Sequence, residues 1–289
     1  MARPSPAAFF RQSLKSDSYL ADELINIFLL RPIASIIVWA LYPTRITPNM
    51  VTVAAVVVGC VAGYAYSIGT AAATALAGGM IMLKDIVDDA DGQLARAKEL
   101  YSRRGRFLDS IGDFLVDLVV FAGIGWSVYH AGLGMGGWLL AFLGLAGITL
   151  RVSHHVFYQV SFLHTEKRYG LNRIVEEVTD ADRQGDRIAY GLQRIFGVIY
   201  GWQDRLMLRI DEWCRGGKVA EDLLPTWYGD RLALRLSGLL GFGTEIALLA
   251  VCSWFDALEV YLWLNLLLMN GVWLASVLYR RVYLSTNLV

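Results

Sequence analysis

The chain has 289 residues, of which 56% are hydrophobic and 18% charged, and its 26 basic and 26 acidic residues cancel to a formal net charge of zero. A soluble domain carries about a quarter charged residues. Here the apolar excess is gathered in long runs nearly free of charge, as bilayer-spanning helices require. These features exclude an ordinary soluble enzyme, a disordered chain and a small disulfide scaffold. Cys60, Cys214 and Cys252 are far apart and odd in number, which argues against disulfides and against a thiolate metal site.

The N-terminal stretch 1–17 lacks the compact apolar region and cleavage site of a signal peptide. Residues 23–41 are long enough to insert, but Arg31 and Pro32 fall in their middle. A central Arg costs about 2.5–3.5 kcal/mol on insertion scales, so an interfacial amphipathic helix under the bundle is expected. Six spans are then predicted, at about 49–68, 70–95, 107–131, 137–161, 232–254 and 257–279. Basic residues crowd 96–106, 163–231 and the pair Arg280 and Arg281, whereas 68–72 and 130–137 hold no Lys or Arg. The positive-inside rule therefore puts the basic side in the cytoplasm.

Between the fourth and fifth spans, charges alternate with Ile174, Val175, Val178, Ile188, Leu192, Ile195, Phe196 and Ile199. That spacing predicts amphipathic helices resting on the bundle. The expected fold is an all-α integral membrane protein in four parts: residues 1–48 (N-terminal segment and interfacial helix), 49–162 (first four spans), 163–231 (cytoplasmic insert) and 232–289 (last two spans).

Aspartates at 85, 88, 89, 91, 109, 113 and 117 crowd the facing ends of the second and third spans. Acidic residues at such places are costly and point to function. Asp88, Asp91 and Ala95 share one helix face, and Gly105, Asp109 and Asp113 another. One stripe climbs to the cytoplasmic surface and the other descends from it, so the two meet at one depth. Facing carboxylates stay ionised only with a cation between them, and oxygen-only ligands select hard ions such as Mg²⁺ or Mn²⁺. Arg96 adds a phosphate donor, and Gly92 and Gly105 let a ligand approach the backbone. The residues read as a metal-dependent site for a phosphate-containing substrate at the membrane boundary.

The run Asp88-x2-Asp91-Gly92-x2-Ala95-Arg96-x8-Gly105-x3-Asp109-x3-Asp113 resembles the signature of the CDP-alcohol phosphotransferases at every fixed position, and Thr47 to Thr52 resembles the start of that family's first span. The resemblance implies transfer of a substituted phosphate from a CDP-linked donor, most often CDP-diacylglycerol, to an alcohol hydroxyl with release of CMP, in phospholipid biosynthesis. It implies two Mg²⁺ or Mn²⁺ ions held by Asp88, Asp91, Asp109 and Asp113, with Asp113 also the general base. Gly92, Ala95, Arg96 and Gly105 would line the cytidine diphosphate pocket, with Asn49, Thr52 and Ser102 as further nucleotide contacts. Expected partners are the lipid donor, the alcohol acceptor and the bilayer, without nucleic acid. A homodimer and a cytoplasm-facing site in a prokaryotic plasma membrane belong to the same expectation.

Phe114 stands where members using phosphorylated acceptors often have a basic residue, and Ser110-Ile111-Gly112 lacks the His often found in choline- and ethanolamine-type members. A reversed donor, a CDP-linked small alcohol giving its head group to a lipid hydroxyl, is the alternative within the class. The rival outside it is an ion or proton transporter, which predicts broken helices and carboxylates spread through the membrane depth.

Of the remaining polar residues, Asp89 is expected to be a solvated helix-end charge, and Lys84 to pair with Asp117 or Asp85 beneath the metals. Arg151, His154, His155 and Tyr158 suit interior hydrogen bonding, with Arg151 and a His reading the acceptor as the sharper possibility. Glu245, Asn265 and Asn270 are expected to satisfy one another inside the bundle. Trp202, Trp213, Trp227 and Tyr228 suit an interfacial belt.

Overall fold

The structure, a computed structural model, describes residues 5–13, 20–166, 178–217 and 219–287, so Ile174 and Val175 of the insert lie outside the described residues. Every regular element among those residues is helical. In chain order the main ones are α1 (Pro6–Ser13), α2 (Asn26–Leu41), α3 (Pro48–Ser67), α4 (Ala71–Ala97), α5 (Arg103–Val128), α6 (Met135–Thr165), α7 (Asp180–Gln184), α8 (Arg187–Ile199), α9 (Gly201–Arg215), α10 (Leu224–Gly229), α11 (Arg231–Gly238), α12 (Phe242–Trp254) and α13 (Leu258–Leu284).

Among the described residues, α3, α6 and α13 are long and apolar enough to cross a membrane, and α11 with α12 makes a fourth if that pair is one span. Outward-facing apolar side chains such as Met50, Val53, Val57, Val61 and Tyr64 run along one face of α3. This is a multi-pass membrane protein. The predicted fifth span is not one straight helix, because α11 and α12 meet at 42°. The break is filled from elsewhere in the chain. Glu23 reaches from the N-terminal segment into the space a side chain at Gly241 would need, and its Oε2 accepts the Thr244 N–H at 3.1 Å. A carboxylate thus caps an amide at the start of α12 that has no intrahelical partner.

α3, α4 and α5 form the unit that carries the motif. Pro48 at the first turn of α3 sets the helical φ where no amide partner exists. Gly69 in the left-handed region turns α3 into α4, and Thr70 caps α4. After Lys98 the chain reverses through Glu99, also left-handed, and Ser102 caps α5 by accepting the Gly105 N–H at 3.0 Å. α3 and α5 cross closely: a Cβ on Gly123 would overlap the Gly63 carbonyl oxygen, and one on Gly112 would meet Val56. Small residues at such crossings let backbones approach, which brings the aspartate stripe of α5 beside α3 and α4.

α2 packs on α4 through Ser35 Oγ, 2.9 Å from Gln93 Oε1, and Gln93 Nε2, which donates to the Arg31 carbonyl at 3.1 Å. Arg31 is neutralised by a two-pronged pair with Asp22 at 2.7 and 3.3 Å. Phe28, Ile33, Ile36 and Trp39 remain outward on α2. The insert helix α8 lies along α5: Phe196 packs on Phe107, Tyr200 on Phe114, and the Tyr200 hydroxyl donates to the Ser110 carbonyl at 2.8 Å. Ion pairs Arg103–Asp182 and Arg104–Asp186 tie the same segment to the start of α5. Trp227 is not an interfacial side chain. It is fully buried and donates to Asp211 at 2.9 Å, as does the Tyr228 hydroxyl, while Trp202 and Trp213 are exposed.

Candidate active site

Helical periodicity places Asp88 and Asp91 on the last turns of α4 and Asp109 and Asp113 on the first turns of α5, on either side of the short reversal. Asp88, Asp91 and Asp109 each offer one carboxylate oxygen, and those oxygens lie within 4.8 Å of one another. Three convergent oxygens without nitrogen or sulfur donors form a set suited to a hard divalent cation. The residues present therefore fit such an ion. Thr52 on α3 is buried and donates to Asp91 Oδ2. It thus orients one of the three carboxylates.

Asp113 lines the same cavity but is turned to Lys84, whose ammonium pairs with Asp113 Oδ1 and lies 3.4 Å from Asp88 Oδ2. The expected pairing of Lys84 with Asp117 or Asp85 is overturned. The lysine stem rises from the deeper turn toward the surface cluster, so its charge ends among the motif residues, with the ammonium 4.8 Å from the centre of the Phe242 ring. Asp89 is likewise not a solvated charge: its Oδ2 is buried and it lines the cavity with Asp85 and Asp117.

The residues expected around the nucleotide gather near the α4–α5 reversal. A Cβ at Gly105 would stand 2.9 Å from Asn49 Oδ1 and 3.1 Å from Ser102 Oγ, so Asn49, Ser102 and Gly105 share one place. A Cβ at Gly92 would meet only Arg96, at 3.6 Å, leaving that backbone open. Ala95 and Arg96 follow on the last turn of α4, half-buried.

The cavity has a volume of about 400 Å³. One wall comes from the N-terminal segment, α2, α4 and α6: Glu23, Asn26, Arg31, Asp85, Asp89 and His155. The insert supplies another: Phe196, Tyr200 and Asp204, with Arg106 stacked on Phe107 and Phe196. From sequence, Asp85 is placed beneath the metals and a His is weighed as an acceptor contact, whereas Glu23, Asn26, Arg31 and the insert residues are not assigned to the site. The insert residues lie far beyond the motif in the chain, and only the amphipathic pattern of α8 hinted that it covers something.

Arg151 does not reach this cavity. It is fully buried, its Nε and Nη2 donate to Glu245, and its Nη1 donates to Asn265 O at 3.1 Å and Asn270 Oδ1 at 2.7 Å. Asn265 Nδ2 closes the network on Glu245 Oε2 at 3.2 Å. Interior hydrogen bonding is the role found for Arg151, which joins Glu245, Asn265 and Asn270 in one network, although Asn265 Oδ1 is left without a partner. His154 bonds Ser276 at 3.2 Å on α13.

A family model described as CDP-alcohol phosphatidyltransferase matches residues 45–200, which takes in α3 to α6 and continues to the end of α8. The chain belongs to that family. It is therefore a transferase whose substrates are a CDP-alcohol and an alcohol acceptor, in a membrane setting. No curated protein matches the sequence.

Proposed function

We propose that the protein transfers a phosphatidyl group from CDP-diacylglycerol to the hydroxyl of a small alcohol, releasing CMP, at the cytoplasmic face of a six-span bundle in which α4 and α5 also cross the membrane. The observation that carries this reading is the convergence of the Asp88, Asp91 and Asp109 oxygens beside Asp113 in one cavity.

In this reading Asp88, Asp91 and Asp109, with Asp113 at their edge, hold Mg²⁺ or Mn²⁺. Bound divalent ions neutralise the diphosphate and stabilise the charge that develops on the departing CMP. The chain's own residues do the rest. Thr52 fixes the Asp91 carboxylate, and Lys84 fixes that of Asp113. Asn49, Ser102, Gly105 and Gly92 form the open backbone surface on which the cytidine diphosphate rests, and Arg96 supplies a charged donor to phosphate. The acceptor oxygen attacks the lipid-bearing phosphorus, the bond from that phosphorus to the CMP oxygen breaks, and CMP leaves with the bonding pair. Asp113 takes the hydroxyl proton. Phe114, Phe196 and Tyr200 exclude water from the acceptor side.

The deciding assay is CMP release by the purified protein with Mg²⁺ or Mn²⁺, CDP-diacylglycerol and a panel of alcohols. Acceptor-dependent release that is lost in Asp113→Asn is the expected result. Release only with CDP-linked head groups and lipid alcohols would reverse the donor, and ion flux without CMP release would overturn the reading.

A further inference from the structure

The acidic wall of the cavity is not needed to hold metal. Among the described residues, only Asp88, Asp91 and Asp109 converge closely enough for an ion. Asp85 and Asp89 lie one turn apart on α4 and line the cavity with Asp22 and Glu23 of the N-terminal segment. Spread over a wall in this way, they suit an organic solute rather than a metal ion.

The wall also has hydrogen-bond capacity to spare. Asp85 is 7% exposed, yet its Oδ2 is buried without a partner, and Asp89 Oδ2 and Asn26 Oδ1 are in the same condition. All three atoms are acceptors. Arg31, the cation of this wall, already has both terminal guanidinium nitrogens on Asp22. Gln159 Nε2 also donates to Asp22, at 2.5 Å. Glu23 is occupied as well, by Thr244 N–H at 3.1 Å and Asn26 Nδ2 at 3.3 Å. Acidic side chains outnumber the cation on this wall, with Asp22, Glu23, Asp85 and Asp89 beside Arg31, and His155 Nδ1 is a further atom without a partner.

We infer that this wall is the acceptor subsite and that it selects an alcohol bearing a protonated amine. An ammonium brings three N–H donors and one positive charge, matching the carboxylates of Asp85 and Asp89 that line the cavity. A phosphorylated alcohol would meet an excess of like charge there, because Arg31 is already paired with Asp22. With the amine against Asp85 and Asp89, the hydroxyl of a small molecule lies toward Asp88 and Asp113, which line the same cavity.

This inference rests on the proposed transferase reading, so the experiment reads the two separately. Mg²⁺-dependent binding of CDP to the full-length protein is measured in wild type, Asp85→Asn and Asp89→Asn. CMP release from CDP-diacylglycerol is then followed with serine and ethanolamine against glycerol, inositol and glycerol 3-phosphate. The expected result is a kcat/KM higher for the amine-bearing pair by about tenfold or more, the weight of one charged hydrogen bond. Each variant should raise KM for that pair by about tenfold while KM for glycerol and CDP affinity stay within about twofold. CDP binding with a preference for glycerol, inositol or glycerol 3-phosphate would overturn the inference alone. So would an equal rise in KM for every acceptor. Failure of CDP to bind wild type would overturn the transferase reading and the inference with it.

Discussion

Lys84 of α4 and Asp113 of α5 form an ion pair across the two helices that carry the motif, with Asp88 3.4 Å from the same ammonium. The lysine is fully buried, so its charge is committed to these carboxylates. Removing one partner of a buried pair is far more costly than its net worth. Lys84→Met keeps most of the stem and deletes the charge. It is expected to lower stability by about 3 kcal/mol in a chelator-containing buffer, with part of the loss recovered in Mg²⁺. Thermal denaturation of both proteins in the two buffers measures this, and an identical loss with and without Mg²⁺ would show that no cation shares the site with Lys84.

Thr52 contributes to the site without being one of its carboxylates. Its hydroxyl, buried on α3, donates to Asp91, and such outer partners fix the orientation of a ligand. Their loss typically costs tenfold or more in metal affinity. Thr52→Val preserves shape and should weaken Mn²⁺ binding by about tenfold, while Thr52→Ser should restore it. Titration followed by the electron paramagnetic resonance of free Mn²⁺ provides the reading. Equal affinity in Thr52→Val and wild type would make the hydroxyl a structural feature only.

The Arg151 network gives a contrasting expectation. Each guanidinium nitrogen is already bonded to Glu245, Asn265 or Asn270, leaving no nitrogen without a partner for a substrate. Arg151→Met should destabilise the protein by about 3–5 kcal/mol because Glu245 is left buried and unpaired. Adding Glu245→Gln should recover much of that loss, and KM for the acceptor should stay near wild type in the double variant. A selective rise in acceptor KM would return Arg151 to the binding site.

How much of this was legible in the chain depends on distance along it. Asp88, Asp91 and Asp109 could be placed together because helical periodicity and one short reversal fix their relation, and the structure brings their oxygens together. Lys84 was assigned to the wrong carboxylates because periodicity gives its position on α4 but not the path of a four-carbon stem. Asp89 was misjudged for a related reason. Its solvation is decided by α2 and the segment before it, which no local pattern ties to α4. Tyr200 reaches Ser110 across ninety residues, a relation carried by tertiary packing alone. The amide at the break between α11 and α12 is capped by Glu23, more than two hundred residues earlier.

Glu23 also yields a pH dependence whose sign can be worked out. Burial, reinforced by nearby Asp89 and Asp22 and opposed by the Thr244 N–H, pushes its carboxyl up from 4.5 to about 8. The folded protein therefore holds this proton more tightly than the unfolded chain does. The stability it contributes is complete below about pH 4.5 and is lost as pH rises through about 8. A change of this size corresponds to a few kcal/mol at most. Glu23→Gln keeps an oxygen for the Thr244 N–H and removes the titration. Its denaturation midpoint should match wild type near pH 5 and exceed it near pH 8, giving a flatter profile across that interval. Parallel profiles for the two proteins would mean that Glu23 stays ionised in the fold, and the acidic wall would then carry one more full negative charge.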